Sequence, residues 1–451
     1  MDKIKFGAAQ RFSYALCNVG MGIGAVPANV LLLYYLTQVV GMQPGVAGIV
    51  IALPKLWDAL VDPFFGGWID QLAMRFARRG AITLAACGGY VTSLVMVFSL
   101  PLIASPSQYA VVATLLLIAF STSQTGISVM QFARASEMTS TPVELSSLLS
   151  LATVVAQVLS VVCSIAAPML VVWSGSGITG YSRMAAEFGA LITVSIVVFV
   201  GATRRVPVLS RASGATDLPL LASLRATAGN PAFYYLIVFI ACTNSGAAII
   251  FGFLPFANQY VLHGDSGALA VLEGVLGISA LTGMLLAPAL VKRFELIASL
   301  RACNVAVGVT MALLFAASFG PLWLTWAVLS GVGLASGVIG VLVQTAALSS
   351  TRTPLKSGVA VAIGFYLGIM LAGMKIGNAV GGFAMGQLLS LIGFVPNGVT
   401  QAPATMAWIR TGYTLLPLLF IIFAGLALLR VNLPREQEAT AQVPGLAAGT
   451  V

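Results

Sequence analysis

The sequence predicts an all-α integral membrane protein of twelve transmembrane helices arranged in two six-helix halves. Three observations predict it. Of 451 residues, 59% are hydrophobic and only 8% are charged, whereas a soluble domain has roughly a quarter of its residues charged. Apolar runs long enough to cross a bilayer, about 20 residues each, recur along the chain. Lys and Arg alternate between successive loops in the way that orients spanning helices.

The apolar runs fall at about 12–40, 44–70, 81–103, 109–134, 145–173 and 181–203, then at about 232–262, 268–291, 296–317, 322–348, 358–392 and 408–430. The longest polar interval, Arg204 to Asn230, separates the sixth run from the seventh and carries Arg204, Arg205, Arg211, Asp217, Pro219 and Arg225. The expected organisation is an amino-terminal six-helix bundle over 1–203, a cytoplasmic linker over 204–230, a carboxyl-terminal six-helix bundle over 231–433 and a disordered cytoplasmic tail over 434–451.

The positive charges test the span count, because a missed helix would scramble their alternation. Lys3, Lys5 and Arg11 share a side with Arg75, Arg78, Arg79, Arg134, the linker arginines, Lys292, Arg293, Arg301, Arg352, Lys356, Arg430 and Arg435. Arg183 and Arg410 fall on the opposite side, and Lys55 and Lys375 lie within spans. Both termini are therefore expected in the cytoplasm, with the chain multi-pass in the plasma (inner) membrane. The net charge of +9 follows from this distribution, so no nucleic acid is expected as a partner. The expected partners are the lipid bilayer and a small-molecule solute, with the chain acting as a monomer. The first apolar run is too long for a removable signal peptide and lacks a small-residue cleavage site.

The stretch that carries chemistry is Pro54-Lys55-Leu56-Trp57-Asp58-Ala59-Leu60-Val61-Asp62-Pro63 in the second run. A charge near the bilayer centre costs at least ~2.5 kcal/mol, so such residues are kept mostly where they face a polar cavity. On a helix, Lys55, Asp58 and Asp62 project from one side, with the carboxylates about 6 Å apart along the axis. Two carboxylates so close in a low-dielectric cavity do not both stay ionised cheaply unless a lysine or a bound cation compensates them. They form a candidate switch for H⁺ or Na⁺, with coupled titrations. Lys375 lies at a similar depth in the eleventh run, as expected if charges from the two halves meet at their interface. The alternative is a fixed buried cluster in which Lys55 and Lys375 only neutralise the aspartates.

Other features are weaker. Asp70 with Arg75, Arg78 and Arg79, and Arg134 with Glu137, are candidate cytoplasmic latches that also serve orientation. Glycine-rich stretches such as Gly20 to Gly24, Gly331 to Gly340 and Gly373 to Gly386 suit close helix packing. Gly377, Gly381 and Gly382 are also candidate points of bending. Cys17, Cys87, Cys163, Cys242 and Cys303 have no disulfide or metal spacing and are expected to be packing residues. His263 is the only histidine, and no zinc spacing or serine nucleophile motif is present. The chain is not expected to be an enzyme or to hold a cofactor or metal other than its coupling cation.

Two six-helix halves are the repeat layout of the major facilitator transporters. Within them the chain resembles the glycoside–pentoside–hexuronide:cation symporter family, of melibiose permease type, nearly end to end. The resemblance rests on Tyr34-Tyr35-Leu36-Thr37-Gln38-Val39-Val40-Gly41, on Trp57 to Pro63 followed by Gly66 and Asp70, and on Glu137-Met138-Thr139 with Glu144. It continues in Lys375-Ile376-Gly377, Gly381-Gly382 and Gly393-Phe394-Val395-Pro396-Asn397.

The resemblance implies that Asp58 and Asp62 are the cation carboxylates, that Thr125 contributes to the cation site and that Lys375 is the intramembrane lysine beside them. Val61 stands where the family has an asparagine, which removes a neutral oxygen ligand and favours H⁺ over Na⁺. Gly22 and Ser128 stand where melibiose-type members have sugar-binding aspartates, and Phe132 where they have a tryptophan, which points away from a galactoside. The implied function is cation-coupled secondary transport, by alternating access, of a sugar- or glycoside-like solute or a small organic anion. Lys55, Lys375 and Arg134 would supply positive charge for an anion. The alternatives are transport of an amphiphile such as a lysolipid, and a non-transporting membrane sensor.

Overall fold

The computed structural model describes residues 8–76, 79–138, 142–204, 231–350, 363–396, 398 and 400–431. The side chains of Asp62, Asp70, Arg75, Phe132 and Glu137, most of the linker and the tail from residue 432 lie outside the description.

Among the described residues twelve long helices follow one another: α1 (Ala8–Val30), α2 (Pro44–Phe76), α3 (Arg79–Val97), α4 (Tyr109–Met138), α5 (Pro142–Trp173), α6 (Gly177–Thr203), α7 (Pro231–Tyr260), α8 (Ser266–Arg293), α9 (Leu296–Ala317), α10 (Leu322–Ser350), α11 (Ile363–Leu391) and α12 (Pro403–Leu429). Ten stretches of the described residues are long and apolar enough to cross a membrane by themselves, and α1 with its continuation makes an eleventh. Proline opens α2, α5, α7 and α12, where its missing N–H costs nothing and its fixed φ suits the first turn. Asp265 caps α8 by accepting from the Ala268 N–H at 2.8 Å.

α1 does not end at Val30. A 45° bend leads into Leu32–Val39, whose last turn is π-helical over Tyr35–Val39. A π-turn widens the ladder and re-aims side chains. Gly41, at φ 77°, then reverses the chain toward α2 in a conformation that a side chain would strain.

The packing repeats from one half to the other. α1 packs on α5 and α6 as α7 packs on α11 and α12; α4 packs on α2 and α3 as α10 packs on α8 and α9; α3 meets α6 as α9 meets α12. Two seams join the halves, α2 with α11 and α5 with α8, and the same repeat relates them to each other. Apolar residues also cover the outside: Leu285 is 75% exposed and Leu115 60%, which is costly in water and suited to lipid. Trp173 and Trp323 are exposed at the helix ends away from the chain termini, here called the distal ends, a placement typical of a membrane interface. The five cysteines are unpaired, and all but Cys242 are buried.

Candidate functional site

α2 and α11 run antiparallel, and their contacts stay in step along both helices. Near the distal end, a Cβ on Gly386 would come within 2.5 Å of the Gly48 Cα and 2.7 Å of the Pro44 carbonyl oxygen. The Gln387 side chain donates to the Gly45 carbonyl at 3.1 Å. Further in, a Cβ on Gly382 would lie 3.2 Å from the Ile51 side chain. Two turns beyond that, near the middle of each helix, the Lys375 ammonium meets the Asp58 carboxylate at 3.2 Å. This ion pair thus ties one half to the other at mid-depth. Asp58 is 6% exposed, while the Lys375 side chain keeps 29% exposure.

Lys55 turns elsewhere. Its ammonium lies 3.5 Å from the Asn29 side-chain oxygen of α1. Residues three apart on a helix diverge by about 60°, enough for Lys55 to reach α1 while Asp58 reaches α11. Asp62 follows Asp58 by one turn on α2. Thr125 is half-buried on α4.

The remaining predicted residues sit in packing contacts. The Ser128 hydroxyl donates to the Gln124 carbonyl at 2.9 Å and lies 3.1 Å from the Met21 sulfur, joining α4 to α1. Gly22 faces α5, where a Cβ would stand 2.6 Å from the Ser160 hydroxyl. The Arg134 guanidinium donates to the Thr203 carbonyl, tying α4 to the last turn of α6. The glycines of α11 allow close approach: a Cβ on Gly377 would lie 2.3 Å from the Ala241 carbonyl oxygen, and one on Gly381 2.5 Å from that of Ser245.

The distal ends are closed. Just past the bend, the Tyr34 hydroxyl donates to the Gln259 side-chain oxygen of α7, and its ring packs edge-on to Phe256 at 5.3 Å. On the second seam, a Cβ on Gly277 would meet Val161 at 2.8 Å and one on Gly274 would meet Ile165 at 3.2 Å. The contacts that close this end are made of glycines and neutral side chains.

Sequence reasoning passed over Glu273 on α8, which is 1% exposed. Among the described residues neither of its carboxylate oxygens has a hydrogen-bond partner. The signal was present, since Glu273 is the acid inside the apolar run Gly267 to Val291. Asn29 and Gln259 were also missed, and nothing in their spacing marks them.

Repeated halves meeting around the Asp58–Lys375 pair at mid-depth define a membrane carrier of the major facilitator architecture. The MFS/sugar transport protein family matches residues 13–435, and the chain belongs to it. A protein of Bacillus subtilis (strain 168), "Uncharacterized symporter YnaJ", is 23% identical over 95% of this chain and 92% of its own. The "Isoprimeverose transporter" of Lactiplantibacillus pentosus is 23% identical over 93% of this chain and 88% of its own. Among solved structures the fold is similar to that of the nucleoside transporter NupG, with a TM-score of 0.68 at 13% identity, covering 94% of this chain and 100% of that one. It is also similar to a bacterial homologue of the human lysosomal transporter Spinster, with a TM-score of 0.66 at 15% identity, covering 94% and 95%.

Proposed function

We propose that the chain is a cation-coupled symporter, with H⁺ favoured over Na⁺, that moves a sugar- or glycoside-like solute by alternating access. The Asp58–Lys375 pair between the halves carries the proposal. In the empty carrier the pair neutralises both charges, so the halves rock without a bare charge in the low-dielectric interior. A proton on Asp58, with Asp62 sharing the titration, releases the Lys375 ammonium. The cation-only form then holds an uncompensated ammonium and does not reorient. A solute that hydrogen-bonds or pairs with that ammonium relieves the cost, and the loaded carrier turns over. Coupling follows from the order in which Lys375 changes partners.

The family description and the isoprimeverose transporter among the relatives support a sugar-like solute over an organic anion. The positive charge distribution supports cytoplasmic termini, which makes the distal end the outer one, and a place in the plasma (inner) membrane. The path runs between the halves of one chain, so the monomer is the working unit.

A groove of about 680 Å³ lies away from Asp58, between α5, α8 and α10, lined by Ile165, Met169, Val271, Ile278, Ser330 and Leu334 among others. It is apolar and open at the side of the bundle, as entry of an amphiphile from the bilayer would require. The test is accumulation in proteoliposomes of a panel of glycosides, carboxylates and lysolipids under an imposed proton or Na⁺ gradient. Accumulation of a neutral glycoside under the proton gradient alone is the expected result. A lysolipid moved without either gradient would overturn it in favour of the groove.

A further inference from the structure

The α8 face that carries Glu273 also carries Leu276, Gly277 and Ala280, at spacings of three, four and seven residues. On one flank it is sealed by α10, where a Cβ on Gly333 would lie 2.5 Å from the Leu276 carbonyl oxygen and one on Gly337 1.9 Å from that of Ala280. On the other flank Gly277 meets Val161 of α5. The groove at the side of the bundle lies on the opposite face of α8, at Val271 and Ile278.

Among the described residues no cation pairs with this carboxylate. Helix α10 has no titratable side chain at all. Helix α5 brings Cys163 and, outside the described side chains, Glu144; α7 brings Tyr234, Tyr235, Cys242 and Tyr260. Helix α9 brings Cys303 and Arg301, whose guanidinium is held by the Leu428 and Val431 carbonyls. Lys292 and Arg293 of α8 itself are roughly 30 Å away along the axis. A bare carboxylate in this setting costs several kcal/mol, whereas a proton removes the charge and needs no cavity.

We propose that Glu273 is a second proton-binding site, in the carboxyl-terminal half, which holds a proton while the distal ends are closed and releases it when α5 and α8 part there. The site is separate from the Asp58–Lys375 pair, and the proton would be exchanged with water entering along the α5–α8 seam.

The first measurement is infrared spectroscopy of the full chain in lipid bilayers at neutral pH without solute, reading the C=O stretch of protonated carboxyl groups. The expected result is a band that disappears in Glu273→Gln, shifts in Glu273→Asp and persists in Asp58→Asn. A spectrum unchanged by either Glu273 substitution would overturn the site. The second is labelling from the distal side, at different pH values, of a cysteine placed at Val161 in a background lacking the five native cysteines. Opening that releases a proton is favoured as pH rises, so labelling should rise more steeply with pH with Glu273 present than in Glu273→Gln. An equal pH dependence would overturn release, even with the band present. The infrared result is read without transport, so failure of coupling at Asp58 leaves it intact.

Discussion

The two seams between the halves are related by the internal repeat, yet they handle charge in opposite ways. The α2–α11 seam has an acid and a base that compensate each other at 3.2 Å. The α5–α8 side has a single buried acid, Glu273, without a hydrogen-bond partner among the described residues. In a low dielectric these are different devices. A pair can exchange partners, so it suits coupling between a cation and a solute. A lone carboxyl can only gain or lose a proton. The packing differs as well: Gly386 closes on the backbone of Gly48, whereas Gly277 closes on the β-branched side chain of Val161.

The largest effect should come from breaking the pair. Lys375→Met leaves Asp58 without its cation, and removing one partner of a buried pair costs about 3 kcal/mol at the lower end of the usual range, suited to a partly exposed lysine. The expected outcome is a fall of ~100-fold in gradient-driven uptake, read as initial rate in proteoliposomes. Lys55→Met, which removes only the 3.5 Å contact to Asn29, should cost less than about tenfold. Equal losses would show that the two lysines act as one cluster.

Next come the glycines. Gly386→Ala forces backbone apart at the distal end and should disfavour closure by roughly 1–3 kcal/mol. In a background lacking the five native cysteines, a cysteine placed at Ile51 should then label faster from the distal side. Gly277→Ala should change labelling less, by about 1 kcal/mol, because the new methyl meets a side chain, Val161, rather than backbone. The reverse order would place the tighter closure on the α5–α8 seam. The smallest effect expected is that of Tyr34→Phe, which loses the part-buried bond to Gln259 and should raise the same labelling by about 0.5 kcal/mol of closure, the low end for one hydrogen bond.

Much of this was legible in the sequence because membrane helices are written in long apolar runs and prolines. The run at 44–70 became a helix over Pro44–Phe76, and that at 109–134 one over Tyr109–Met138. Lys375 and Asp58 were expected to meet from their depth, and they do. The partner of Lys55 was not legible, because spacing gives the side of a helix but not which neighbour stands there. The expected cluster of Lys55, Asp58 and Asp62 is divided, with Lys55 toward α1; the Asp62 side chain lies outside the described residues, as do the latch residues Asp70, Arg75 and Glu137. Glu273 was obscured for a related reason: one acid hardly changes the hydropathy of a long run, and its isolation appears only when the neighbouring helices are in place.

The most direct test of the central claim compares native protein with Asp58→Asn in liposomes, reading proton entry on addition of solute together with exchange of labelled solute across the membrane. Asparagine mimics the protonated carboxyl, so exchange should persist while solute-driven proton entry is lost. Proton entry per solute equal to that of the native chain would contradict the exchange of partners at Asp58 and Lys375.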